Sequence, residues 1–155
     1  MNRQRFSIRS SWRRGYTLIE MLIVIAAMLI IAGLVIPQFQ DAVRDAKKSA
    51  TLANLQGLTG AIERYKLHHE GFPPDIMTSN TLIQLTSNTD YYGDVGTGAE
   101  FSYGPYILAG IPVNPLNGDG NIYETQTVPP ADLKQQTGWI YDPVTGHIWA
   151  GEKLQ

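Results

Sequence analysis

Residues 18–36 read LIEMLIVIAAMLIIAGLVI, nineteen consecutive positions with a single charge. As an α-helix this run is about 28 Å long, close to the ~30 Å hydrocarbon core of a bilayer. It therefore predicts one membrane-spanning helix before anything else about the fold. Arg3, Arg5, Arg9, Arg13 and Arg14 precede it, and the next basic residue is Arg44. That asymmetry predicts a cytoplasmic N-terminus, with the remainder of the chain across the membrane. A secretory signal has an apolar region of only about 7–15 residues ending at a small-residue A-x-A site. This run is longer, and Pro37-Gln38-Phe39-Gln40 offers no such site. The neighbours of Arg13-Arg14 match a twin-arginine export signal poorly.

A plain signal anchor leaves Glu20 unexplained. A carboxylate deep in a membrane-length run costs about 2.5 kcal/mol or more, so it needs a partner. The motif around it, Arg13-Arg14-Gly15-Tyr16-Thr17-Leu18-Ile19-Glu20, resembles the class III leader junction of type IV prepilins and type II secretion pseudopilins. The shared pattern is a basic stretch, Gly, an aromatic, Thr-Leu-Ile-Glu and an apolar helix; Tyr16 stands where the family usually has Phe. The resemblance implies that a prepilin peptidase cuts between Gly15 and Tyr16 and that the new Tyr16 amine is N-methylated. It also implies self-assembly into a helical filament, in which Glu20 of one subunit neutralises the Tyr16 amine of its neighbour. Truncating one member of such a desolvated pair typically costs about 3–5 kcal/mol. Snorkelling of Glu20 toward the headgroups is the alternative.

The basic head conceals the character of the rest. Without residues 1–15 the chain holds 7 Lys+Arg against 14 Asp+Glu, a net charge of −7 in place of −2. Such an acidic chain argues against nucleic acid as a partner. There is no cysteine, so neither a disulfide nor a thiolate metal site can hold the later segments together.

Pro37 lacks an N–H donor and predicts a kink or a local end of the helix. The helical pattern then resumes in two stripes. One runs through Phe39, Val43, Ala46, Ala50, Ala53, Gly57 and Ala61, the other through Leu55, Leu58, Ile62 and Tyr65. Gly71-Phe72-Pro73-Pro74 predicts the stop. The chain thus divides into a cleaved basic leader (1–15), a transmembrane assembly helix (16–37), its amphipathic continuation (38–70) and a loop-rich β domain (71–155).

Residues 88–98 read as a loop. Short β-like runs follow at 106–108, 121–124, 138–142 and 146–150, with Asp142-Pro143-Val144-Thr145-Gly146 as a hairpin loop between the last two. The expected class is α+β: one long N-terminal helix packed on a small antiparallel sheet of three or four strands, filled by Trp139, Tyr141, Ile148 and Trp149. Gly104-Pro105-Tyr106-Ile107-Leu108, then Ile111-Pro112-Val113-Asn114-Pro115-Leu116 and the Gly138-Trp139-Ile140-Tyr141-Asp142 run, resemble the major G-type pseudopilin of type II secretion. That resemblance implies a pilin-like fold. Because the family's loop commonly binds calcium, it also implies a calcium ion held by Leu116, Asn117, Asp119 and Asn121. Only one carboxylate lies in this run, and Asp-Gly is also a common turn dipeptide, so a calcium site and a plain turn both stand open.

No catalytic constellation emerges. His68, His69 and Glu70 read as a solvated helix end; His147 has no acid or nucleophile beside it, and no phosphate-binding Gly-rich loop is present. The expected role is structural, not enzymatic. The resemblance implies a single-pass protein of the bacterial inner membrane with a periplasmic C-terminal domain. Its implied partners are prepilin peptidase, minor pseudopilins and an inner-membrane secretion platform, and its implied task is a periplasmic pseudopilus that drives protein export. A type IV pilin of a surface filament for adhesion, motility or DNA uptake is the alternative.

Overall fold

The computed structural model describes residues 15–76, 81–125, 127, 130, 133 and 138–152. The chain divides into two compact units, Met1–Asp41 and Ala42–Gln155. Helix α1 covers Leu18–His68, 51 residues. In the first unit it carries the predicted apolar run, long and apolar enough to cross a membrane. Every large apolar side chain of that run is exposed, from Leu18 at 80% to Val24 at 44%. Water does not tolerate so long an uninterrupted apolar surface, so lipid or other chains must cover it. The expected local end at Pro37 does not occur, because α1 continues through it. Proline removes one backbone bond there, and the many bonds on either side keep the helix going.

In the second unit one seam of α1 turns inward: Thr51, Leu58, Ile62, Tyr65 and, just past the helix end, His69 are buried and Leu55 is partly buried, spaced alternately by four and three. This is the larger of the two predicted stripes, extended by a polar residue at each end. Of the small-residue stripe, Ala46, Ala50, Ala53 and Gly57 stay exposed, whereas Ala61 at its end is fully buried. The helix stops in a Schellman arrangement, with the Gly71 N–H donating to the Lys66 carbonyl at 2.8 Å. The left-handed residue that this motif requires is Glu70 (φ 54°), one position before the expected glycine.

Three short strands follow, β1 (Ile122–Glu124), β2 (Trp139–Tyr141) and β3 (Ile148–Ala150), in the order β1-β2-β3. The sheet is mixed, which corrects the antiparallel expectation: β1 pairs parallel with β2, and β2 antiparallel with β3. A parallel pair needs a crossover of about a dozen residues or more, and the segment from Glu124 to Trp139 supplies that length. The register puts Ile122, Trp139, Tyr141 and Ile148 on the face that packs with Leu58, Ala61, Ile62 and Tyr65 of α1. Trp149 falls on the opposite face and is only half-buried, so it is not part of the filling.

The expected strand at 106–108 is also absent. The Tyr106 and Ile107 N–H groups both donate to the Leu85 carbonyl at 2.8 Å. Leu85 lies in α2 (Ile83–Thr86), a single turn of helix with no apolar period long enough to read from sequence. Two aromatic groups tie loops to the core: Trp139 Nε1 donates to the Pro112 carbonyl and Tyr141 Oη to that of Pro74, each at 2.7 Å.

Candidate functional site

The chain enters α1 through a reciprocal cap. The Thr17 N–H and hydroxyl donate to Glu20 Oε2 at 2.8 and 2.7 Å, and the Glu20 N–H donates back to the Thr17 hydroxyl at 3.3 Å. This is a capping box, in which the first and fourth residues satisfy each other's orphan donors. Its signature, Thr17-Leu18-Ile19-Glu20, is legible in the sequence, yet a reading centred on charge passes over it. The carboxylate thus has a local partner within its own chain. Among the described residues, no hydrogen bond engages Glu20 Oε1. Tyr16, one residue before the cap, is 80% exposed. Gly15 and Tyr16 therefore form an accessible backbone junction ahead of the first helical turn. Arg13 and Arg14 lie outside the described residues.

The four residues expected to hold calcium share one turn, but its bonding is already dense. Asn117 Oδ1 accepts the Asp119 and Gly138 N–H groups at 3.2 Å each, and Asn117 Nδ2 donates to the Gly151 carbonyl at 3.0 Å. Asp119 accepts the Asn121 N–H at 2.9 Å and the Tyr123 hydroxyl at 3.1 Å. The Asn121 carbonyl accepts the Trp139 N–H. A hard cation takes six or more oxygens, and this turn supplies one carboxylate, Asp119. As folded, the side-chain oxygens of Asn117 and Asp119 are engaged within the turn. Among the described residues no three His, Asp or Glu side chains converge.

The residue that organises this corner is Asn114, which no charge or ligand pattern singles out. It is fully buried. Its Oδ1 accepts from the Leu116 N–H and the Thr51 hydroxyl, while Nδ2 donates to the Gly138 and Gly151 carbonyls at 2.9 and 2.8 Å. One amide thereby joins α1, the 114–119 turn, the start of β2 and the exit of β3.

At the far end of the seam, His69 is buried rather than solvated. Its Nδ1 donates to the Tyr91 carbonyl at 3.1 Å, and Nε2 lies 3.1 Å from the Thr89 hydroxyl and 3.3 Å from that of Tyr106. Tyr65 stacks on the ring at 4.0 Å. The Tyr91 hydroxyl donates to the Glu70 carboxylate. Both nitrogens of the imidazole are spent on holding loops, so the arrangement is a clamp.

Residues 13–36 match the family model described as the prokaryotic N-terminal methylation motif. The chain is 32% identical over 115 residues to a type II secretion system core protein G of Klebsiella michiganensis, covering 72% of this chain and 74% of that one. It is 35% identical over 81 residues to a fimbrial protein of Neisseria meningitidis serogroup A, covering 52% of this chain and 45% of that one. A core protein G of Klebsiella pneumoniae is 33% identical over 75 residues, 54% of its length. The chain thus spans about half the length of the first curated relatives it matches. No solved structure matches.

Proposed function

This chain belongs to the type IV prepilin and pseudopilin family, and from that premise we propose that it is a pseudopilin of a type II secretion system. Family members of this kind are structural subunits, not enzymes; they are processed as prepilins and built into filaments. The reading adds a branch, the inner membrane as location, and a division of labour at the head of α1. The observation that carries the branch is the reach of the similarity: 115 residues with a core protein G against 81 with a fimbrial protein. The absence of cysteine supports it.

Cleavage after Gly15 turns the Tyr16 nitrogen into an α-ammonium beside the capping box. Glu20 Oε2 keeps the cap, and Oε1 receives the amine of a neighbouring subunit. In a lipid-like interior each charge is costly alone and tolerable as a pair. Minor subunits, the peptidase and an inner-membrane platform complete the machine.

The cap and the charge can be separated, because glutamine also serves at the fourth position of a capping box. Glu20→Gln is expected to abolish filament assembly as fully as Glu20→Ala; normal filaments from the Gln variant would reduce Glu20 to a cap. Mass spectrometry of assembled protein should find an N-methylated Tyr16 as first residue. Deleting the gene should stop release of extracellular enzymes while leaving surface pili unchanged. The reverse phenotype would transfer the chain to the surface-pilus branch. For residues 116–121 we favour a turn held by its own hydrogen bonds, so neither calcium nor a chelator should shift the melting temperature. A rise with calcium that Asp119→Ala removes would restore the ion.

A further inference from the structure

The unit Ala42–Gln155 carries two surfaces of opposite character. The first is a groove of about 330 Å³ beside α1, lined by Arg44, Lys48, Leu52, Leu116, Ala150 and Glu152. Leu52 is 59% exposed in it. Arg44 makes no ion pair among the described residues, and Lys48 reaches only the exposed Asp45, at 3.5 Å. An exposed pair of this kind contributes little. The groove is thus an apolar floor with the Arg44 and Lys48 cations of α1 in its rim and the Glu152 carboxylate also among its lining.

The second surface lies at the end of the same helix, about 30 Å along α1 from Lys48 to His68. There Asp90 builds a tight turn: Oδ1 accepts the Tyr92 and Asp94 N–H groups at 2.9 Å each, and the Asp90 N–H donates to the Asp94 carbonyl at 3.0 Å. Thr89, at its base, bridges both Val95 and Tyr103. The turn lifts Tyr92 into solvent, 86% exposed. Asp75 and Asp94 make no ion pair among the described residues. The acidity is felt nearby: burial first, then Asp75 and the Asp90 and Asp94 carboxylates, push the Tyr65 hydroxyl up to about 12.

We infer that the Tyr92 turn of one copy docks into the Arg44–Lys48–Leu52 groove of a second copy, joining successive subunits along the filament. An aromatic side chain on a turn already fixed by hydrogen bonds has little freedom left to lose on binding. Tyrosine is among the residues that anchor interfaces. Leu52 and Leu116 offer the ring an apolar seat, and the guanidinium and ammonium of the rim oppose Asp90 and Asp94. The two patches are different and lie on one chain, so their contact is head-to-tail, and such a contact propagates into an open helix or closes into a ring. The contact rests on the filament reading above.

The chain's lack of cysteine makes the test clean. Tyr92→Cys and Lys48→Cys are introduced together in the full-length chain, which is assembled and mildly oxidised. A ladder of disulfide-linked dimers, trimers and longer species is expected, with no ladder from either single variant. In parallel, Lys48→Glu should lower filament yield by about tenfold, and Asp94→Lys in the same chain should restore it. The charge swap decides the matter if the double-cysteine chain does not assemble. Filaments without a ladder, a link to a different protein, or full yield from Lys48→Glu would overturn the contact alone. Failure of the unmodified chain to form any filament would overturn the filament reading, and the contact with it.

Discussion

Asn114 uses both lone-pair directions and both N–H bonds of one amide inside the core. Asn114→Asp keeps the shape but turns two donors into acceptors facing the Gly138 and Gly151 carbonyls. An uncompensated buried charge costs about 3–5 kcal/mol, and chemical denaturation of the variant should register a loss of that order. Gly138 is demanding for another reason. Its φ is 67°, and a Cβ there would collide with the Asn121 carbonyl. Left-handed backbone alone costs a side-chain-bearing residue about 1–2 kcal/mol, so Gly138→Ala should lose more than that in the same measurement. Tyr65 gives a pH signature. Its raised hydroxyl favours the folded state fully below pH 10, and that contribution is lost as pH rises from 10 toward about 12. Melting temperature should fall through this window, and less steeply in Tyr65→Phe.

At the scale of elements, α1 is held by its buried seam, whose large residues were visible in the spacing of Leu55, Leu58, Ile62 and Tyr65. Ile62 is fully buried against the sheet. Ile62→Ala should cost about 2–5 kcal/mol, whereas the same change at the exposed Leu52 should leave stability within about 0.5 kcal/mol. The ends of the seam were not visible in this way. Thr51 and His69 look like surface residues by type, and only the loops folded over them make them interior. The hairpin from β2 to β3 was legible because Asp142 sits in a turn sequence. The Asp142 carboxylate accepts the Val144 N–H and the Thr145 hydroxyl, and these bonds, the hydroxyl foremost, hold its carboxyl below the usual range. The direction of β1 was not legible, because direction depends on the path of the chain between Glu124 and Trp139 and not on any residue in the strand.

At the scale of the molecule, the core cluster belongs wholly to the unit Ala42–Gln155. All of the exposed apolar run of residues 18–36 belongs to the other unit. A chain starting at Ala42 should therefore fold in water without detergent and melt in one cooperative transition. Aggregation or a non-cooperative melt of this fragment would show that stability depends on the apolar helix. The full chain, by contrast, should need detergent or lipid, since the large apolar side chains of residues 18–36 are exposed.

The sequence by itself determined the apolar character of the first part and the residues that stand at the junction. Hydropathy over nineteen residues, five arginines on one side, and a glutamate four residues after Tyr16 are local facts, and the methylation-motif match over residues 13–36 rests on them. Tertiary structure decided which polar groups became interior: Asn114 and Asn117 at one end of the seam, His69 at the other. Burial of a polar side chain is set by what distant segments place around it, and no periodicity in its own neighbourhood records that. The same holds for the mixed sheet, for the left-handed Glu70, and for the turn that lifts Tyr92 into solvent while its neighbour Tyr91 is tied to the helix end.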